Sequence, residues 1–346
     1  MTRLERLGAA LAEPLLVSNG VNVRYLTGLS SSNAMLVVEP GGATTLYTDF
    51  RYRERASAVE GVELAETARD LVGALATTLA GRRVGFEATH LTFGAYSRLA
   101  AGGVELVATT GVVEALRRIK EPGEVAAVRR AAAISDEVYA ALARERFTGR
   151  TERDIAWWIE RAFHEAGATS PAFGSIVASG RNGSKPHVEP TDRVIEAGTL
   201  VTIDAGCLVD GYCSDCTRTF STGSLPTELA DAYKLCLQAQ LDGLAAVAPG
   251  ARGCAVDAAS RVAIEAAGLG DRYGHGLGHG VGLEVHEAPT MRPESEDILA
   301  IGNIVTVEPG LYLPGVGGVR IEDLVLVTDE GAESLTRFTK ELLVVE

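Results

Sequence analysis

The dipeptide Asp210-Gly211, set between two runs rich in β-forming residues, is the feature that most narrows what this chain can become. It is a strong signal for a two-residue turn, so residues 199–209 and 212–220 are expected to form an antiparallel hairpin. With Val209 and Tyr212 flanking the turn, Asp215 lies opposite Gly206, and Asp204 is its diagonal neighbour on the same face. Diagonal partners stand ~7 to 8 Å apart between Cα atoms, within reach of a shared cation, whereas two unpaired carboxylates there would repel. Val201, Ile203 and Ala205 surround Asp204 as in a buried strand, which favours a metal site over a pair of solvated edge aspartates.

A second cluster lies downstream. GHGLGHGVGLEVHEAP, residues 274–289, holds His275, His279 and His286, three of the chain's six histidines, among glycines that let backbone and ligand approach closely. It matches neither G-x-G-x-x-G nor the P-loop pattern, so phosphate cradling is a weak reading. His286 follows His279 by seven residues, consistent with one loop-to-strand passage that delivers both rings to a cleft. Glu308 in IVTVEPG and Glu322 in GVRIEDL are acids in strand-like settings with apolar neighbours, and buried acids need partners. Arg320, two residues from Glu322, is expected on the same strand face, able to hydrogen-bond that carboxylate or a metal-bound one. Four carboxylates and an imidazole form an oxygen-rich set suited to two divalent ions such as Mn2+, Co2+ or Zn2+, and such pairs activate water.

Composition sets the frame for these motifs. In 346 residues, 46% apolar and 23% charged, the chain reads as a soluble globular protein with room for two domains. Residues 1–120 carry 13 basic and 12 acidic side chains, a net of +1, which leaves -15 for the remainder of a chain whose net charge is -14. That balance argues against nucleic acid or an anionic membrane as partner. No run approaches the ~18 apolar residues of a membrane helix, and the first 20 residues lack the features of a secretory signal, so the cytosol is the expected location. Five cysteines, an odd number, make a disulfide framework unlikely, and the Cys213–Cys216 CxxC stands in a strand-like run with no second CxxC to complete a zinc ribbon.

The first ~115 residues alternate short apolar runs with turn signals and read as an α/β domain, with helices around 51–60 and 67–80. A change of style at 116–122 marks a domain boundary. Beyond it, helices are expected from Pro122 to about Leu142, from Thr151 to Gly167, and over 226–247 and 255–267. TLVTIDAGCLV, YCSDCTRTF, NIVTVEPGLYL and VRIEDLVLVT read as strands between them, giving an α+β second part.

The ordered set IDAG, YCSDCTRTF, GHGLGHGVGLEVHE, VEPG and VRIEDL resembles the signature of the pita-bread metallopeptidases, nearest the proline-specific branch of Xaa-Pro dipeptidases (prolidases) and aminopeptidase P. RYLTGLSSSNAMLVV more loosely resembles the amino-terminal domain shared by creatinase and prolidase. The resemblance implies an α/β amino-terminal domain over 1–117 and, over 118–346, an α+β pita-bread catalytic domain with antiparallel strands and flanking helices. By motif position, Asp204, Asp215, His279, Glu308 and Glu322 match the family's five metal ligands, with Asp215 and Glu322 bridging two ions. Mn2+ is the first expectation, with Co2+ or Zn2+ as alternatives. Their joint presence speaks against the metal-free relative creatinase and against a binding module built on the same fold, and the first ~115 residues speak against methionine aminopeptidase. His187 in SKPHVEP and His286 match histidines that face substrate, while His275 and Arg320 match residues that support the site. Cys213 and Cys216 flank Asp215 and raise the question of oxidation or soft-metal binding.

The implied activity is hydrolysis of the bond preceding proline in Xaa-Pro dipeptides or short peptides. In this reading Glu308 shuttles the proton, His286 stabilises the oxyanion, and His187 holds the prolyl side. The first domain is expected to cap the cleft, and a homodimer to place it against the partner's site. An aminopeptidase P acting on longer Xaa-Pro peptides would share every chemical residue. The compact chain and the form of GHGVGLEVHE favour dipeptides.

Overall fold

A computed structural model describes residues 1–345, which form two compact units, Met1–Arg117 and a second that begins at Arg118. The first is built on a six-stranded sheet: β1 (Leu15–Val17), β2 (Ala34–Val38), β3 (Thr44–Asp49), β4 (Glu63–Thr67), β5 (Arg83–Glu87) and β6 (Glu105–Thr109), in the order β4-β3-β2-β1-β5-β6. The β1–β2 and β2–β3 pairs are antiparallel, while β3–β4, β1–β5 and β5–β6 are parallel. Helices Leu71–Thr78 and Phe93–Ala101 cover one face, where Leu71, Leu75 and Leu99 pack on Leu16, Val37 and Val84. The parallel pairs require helical crossovers, which is why this part alternates strand and helix.

The second unit is α+β, as expected. Its strands are β7 (Ser170–Pro171), β8 (Ile176–Ser179), β9 (Leu200–Asp204), β10 (Cys207–Val209), β11 (Tyr212–Cys213), β12 (Thr217–Ser221), β13 (Gly278–Gly280), β14 (Glu287–Met291), β15 (Ile304–Val307), β16 (Gly310–Leu313), β17 (Gly317–Arg320), β18 (Asp323–Thr328) and β19 (Gly331–Ser334). They pair antiparallel as β11-β10-β7, β12-β9-β8, β14-β13-β15-β18-β19 and β16-β17. Helices Pro122–Leu142 and Glu152–Glu165 pack through Val138, Tyr139, Ile155, Ile159 and Phe163 on Val177, Val201, Ile203 and Phe220. The second of these starts with a capping box in which Thr151 and Asp154 satisfy each other's backbone N–H groups. Helices Thr227–Ala246 and Gly253–Ala266 cover Leu311, Val319 and Ile321. No described helix is long and apolar enough to cross a membrane.

The hairpin register follows from its turn. Asp210 and Gly211 both adopt positive φ, 51° and 83°, which matches the right-handed twist of the strands they join. Val209 then faces Tyr212, and the same alignment holds to Asp204 opposite Thr217. Between these points Ser214 N donates to Cys207 O (2.9 Å) and Ala205 N to Cys216 O (3.0 Å), which sets Asp215 across from Gly206. A Cβ on Gly206 would lie 1.9 Å from Ser214 O, so this crossing admits only glycine.

One expectation is corrected. The four segments read as continuous strands are each interrupted, and each break falls at an acid: after Asp204, around Asp215, at Glu308-Pro309 and at Ile321-Glu322. Pro309 cannot donate to a ladder, and at Gly206 the two backbones approach too closely to keep a regular one.

Candidate metal centre

Three of these breaks bring Asp204, Asp215 and Glu322 together, with one carboxylate oxygen of each within 4.8 Å of the others. Asp215 is 5% exposed and Glu322 1%. Glu322 Oε2 accepts from Thr217 Oγ1 at 2.7 Å, and Asp204 Oδ2 accepts from the Arg320 guanidinium at 2.7 Å. Asp204 Oδ1 is buried with no hydrogen-bond partner among the described residues. Burial, and then the charges of neighbouring carboxylates, raise the pKa of both Asp215 and Glu322 well above the ordinary range. Such crowding is costly without a cation.

His279 stands on β13, where the register shifts between His279 and Gly280. Its backbone N donates to Thr306 Oγ1 (3.1 Å), which in turn donates to Glu308 Oε1 (3.0 Å). The Nδ1 atom lies 3.1 Å from Gly280 O, so Nε2 points at the acids, 3.1 Å from Glu308 and 3.8 Å from Asp215. Burial works to raise the Glu308 pKa, yet the hydrogen bond and charge of His279 outweigh it and hold this carboxyl at about 2. The His279 imidazole is raised reciprocally, despite its own burial. Asp215 therefore joins two groups of donors, one with Asp204 and Glu322, the other with His279 and Glu308. Crowded carboxylates, an unpartnered buried oxygen and an imidazole turned towards them fit divalent metal.

All the expected site residues except Glu322 line one cavity of about 430 Å³. His286 leaves the loop before β14 with its ring centroid 4.3 Å from that of His279, edge to face. Burial, and then His279, lower its pKa, so at neutral pH it is an uncharged ring facing the cavity. His187 enters from the segment before β9, and Phe173 lines the same space. Arg320 is 4% exposed and serves four acceptors: Asp204, Tyr312 Oη (3.0 Å), Pro186 O (3.2 Å) and Thr217 Oγ1 (3.2 Å). Of the two carboxylates considered for it, Arg320 takes Asp204. The strand turns at Ile321 and points Glu322 away, towards Thr217.

Tyr312 was not singled out from sequence. It joins Arg320 to His275, whose Nε2 lies 2.8 Å from its hydroxyl, and burial pushes its pKa up to about 12. A phenol in the otherwise apolar strand GLYL was the available signal, since a buried tyrosine hydroxyl needs a partner. Cys213 and Cys216 turn away from Asp215. Their thiols point to Leu283 O and Glu322 O, and burial raises both pKa values, that of Cys213 to about 12. They are thiols at neutral pH, poor metal ligands.

Residues 126–329 match the model of metallopeptidase family M24, and residues 3–119 match the creatinase/prolidase N-terminal domain. The chain belongs to metallopeptidase family M24. It is 34% identical to the Xaa-Pro dipeptidase of Pyrococcus furiosus, over 99% of both chains. Among solved structures, the Xaa-Pro dipeptidase from Bacillus anthracis superposes with a TM-score of 0.95 at 36% identity, covering 99% of each chain. The X-Pro aminopeptidase from Thermotoga maritima gives 0.89 at 29%, covering 98% of this chain and 100% of the other. The M24 chain is thus an enzyme with a pita-bread domain, and the converging acids lie at the joints of that domain's strands.

Proposed function

We propose that this M24 enzyme hydrolyses the peptide bond preceding proline in Xaa-Pro dipeptides and short peptides, with two divalent ions, Mn2+ first, held by Asp204, Asp215, His279, Glu308 and Glu322. The observation that carries the reading is the meeting of Asp204, Asp215 and Glu322 within 4.8 Å, with Asp204 Oδ1 unpartnered and His279 aimed at Asp215. When bound, the ions would supply Lewis acidity, making water nucleophilic at neutral pH and polarising a carbonyl.

The remaining steps belong to the protein's own groups. Glu308, ionised at neutral pH, accepts the proton of the attacking water and delivers it to the proline nitrogen, which must be protonated to leave. The uncharged His286 donates an N–H to the oxygen of the scissile carbonyl as it gains charge. His187, which lines the same cavity, steadies the prolyl side. Arg320 fixes Asp204, and His275 and Tyr312 fix Arg320, so the carboxylate is positioned before substrate arrives. The five cysteines are all free thiols, which suits the cytosol, and the proposal takes the homodimer that the sequence resemblance implies. Metal analysis with hydrolysis of Ala-Pro tests the proposal. Chelation should abolish turnover and Mn2+ or Co2+ restore it; full activity in demonstrably metal-free protein would overturn it.

A further inference from the structure

A second cavity, of about 740 Å³, opens beside the one that holds the acids, and the two share Gly174, Ile176 and His187 as a common wall. Its own walls come from the Glu152–Glu165 helix and the segment leading away from His187. On its lining, Ser175 is 3% exposed, and its Oγ has no hydrogen-bond partner among the described residues. A buried hydroxyl without a partner is costly unless a ligand supplies one. Trp157 presents its ring to the same space at 69% exposure, an unusual position for a large aromatic side chain, and contributes nothing to the described core there.

The charges of the cavity are one-sided. Arg153 is already paired with Asp192, which leaves Glu160 and Glu189 as its carboxylates. An aromatic face beside two carboxylates is a site for a cationic side chain, held by attraction to the ring and to the acids. His187, common to both cavities, stands on the prolyl side of the bond to be cut in the reading above, on which this inference rests. A chain that continues past the proline therefore passes His187 into the second cavity.

We infer that this cavity is a subsite for the residue following proline in an Xaa-Pro-Yaa peptide, that Ser175 hydrogen-bonds the peptide backbone there, and that lysine or arginine is the preferred Yaa. Hydrolysis would then extend beyond dipeptides, with the third residue adding affinity.

The test pairs hydrolysis of Ala-Pro, Ala-Pro-Lys and Ala-Pro-Glu with calorimetric binding of the product Pro-Lys, in wild type and Trp157→Ala. Trp157 is exposed, so its loss leaves the fold intact. Wild type should prefer Ala-Pro-Lys to Ala-Pro-Glu. Trp157→Ala should raise KM for Ala-Pro-Lys and weaken Pro-Lys binding by about 3- to 30-fold, with kcat and Ala-Pro hydrolysis unchanged. Tripeptide KM and Pro-Lys binding that are the same in both proteins would overturn the inference. An equal effect on Ala-Pro would do so too, by placing the cavity on the other side of the scissile bond. Metal-loaded wild type that binds Pro-Lys through Trp157 yet hydrolyses none of the three peptides would instead refute the peptidase reading and leave the subsite standing.

Discussion

Replacing Asp215 by asparagine preserves side-chain size and removes one charge from the buried cluster, a change the structure gives opposite signs with and without metal. Without metal, burial and then the charges of Glu322, Asp204 and Glu308 raise the Asp215 pKa, so ionising it at pH 7 opposes folding. Each unit of elevation costs ~1.4 kcal/mol, a cost that asparagine removes. A carboxyl whose folded-state pKa is raised contributes fully below its unfolded-state pKa of about 3.9, and that contribution is lost as pH climbs through the raised value. Metal-free Asp215→Asn should therefore melt above metal-free wild type at pH 7, and the gap should close towards pH 4. With Mn2+ the order reverses. At 100 times its Kd, metal stabilises wild type by about 2.7 kcal/mol, roughly 5 to 11 °C, and the variant should show no such shift. Calorimetry at pH 4 and 7, with chelator or Mn2+, measures each state. If the metal-free variant melts below wild type at pH 7, the electrostatic argument fails; if its Mn2+ shift is undiminished, Asp215 is not a ligand.

His286→Ala should keep its metal and its melting temperature but lose about 100-fold or more in kcat, the usual cost of one preorganised donor; unchanged turnover in the metal-loaded variant would remove His286 from the mechanism. Ala-Ala should be cut far more slowly than Ala-Pro, because a missing pyrrolidine ring forfeits packing and orientation; comparable kcat/KM values would refute proline specificity while leaving the metallopeptidase assignment intact. Gly206→Ala, which places a methyl group 1.9 Å from Ser214 O, should destabilise the second unit by roughly 3 kcal/mol or more, and near-native denaturant midpoints would show that the hairpin crossing is not as tight as described.

The hairpin that carries Asp204 and Asp215 was legible because a two-residue turn leaves one register open, and strand periodicity then assigns every later pair. The helices were legible for a similar local reason: Pro122, the Thr151 cap and the apolar period state their own starts. His275, Tyr312 and Arg320 meet only in the folded protein, so the network could not be read from spacing, although two of its three members could be named individually. The second cavity was illegible for the same reason. Trp157 on a helix and Ser175 before β8 look like an ordinary surface aromatic and an ordinary strand-edge serine until the chain closes.

The strand interruptions escaped detection because a strand broken at one residue has almost the same alternation as an unbroken one. Their placement has a physical cause. In a regular ladder, side chains on one face stand parallel, so acids on different strands cannot all aim at one point. Leaving the ladder at Asp204, Asp215, Glu308 and Glu322 lets each carboxylate swing towards the others, but it frees backbone groups that burial makes expensive. The protein satisfies them from nearby. Tyr139 Oη lies 3.0 Å from Ile203 O and 2.6 Å from Cys216 O, beneath the Asp204–Asp215 break. Glu322 N donates to Thr217 O (3.1 Å), and Glu308 N to Leu277 O (2.8 Å), so the joints at the other two acids are also held by defined partners. Arg218, buried against Asp323, donates to Glu322 O and Thr217 O and ties that joint to β12. The carboxylates are thus gathered by a scaffold whose backbone hydrogen bonds come from protein groups and not from a cation, and the repulsion among them is what metal binding can relieve.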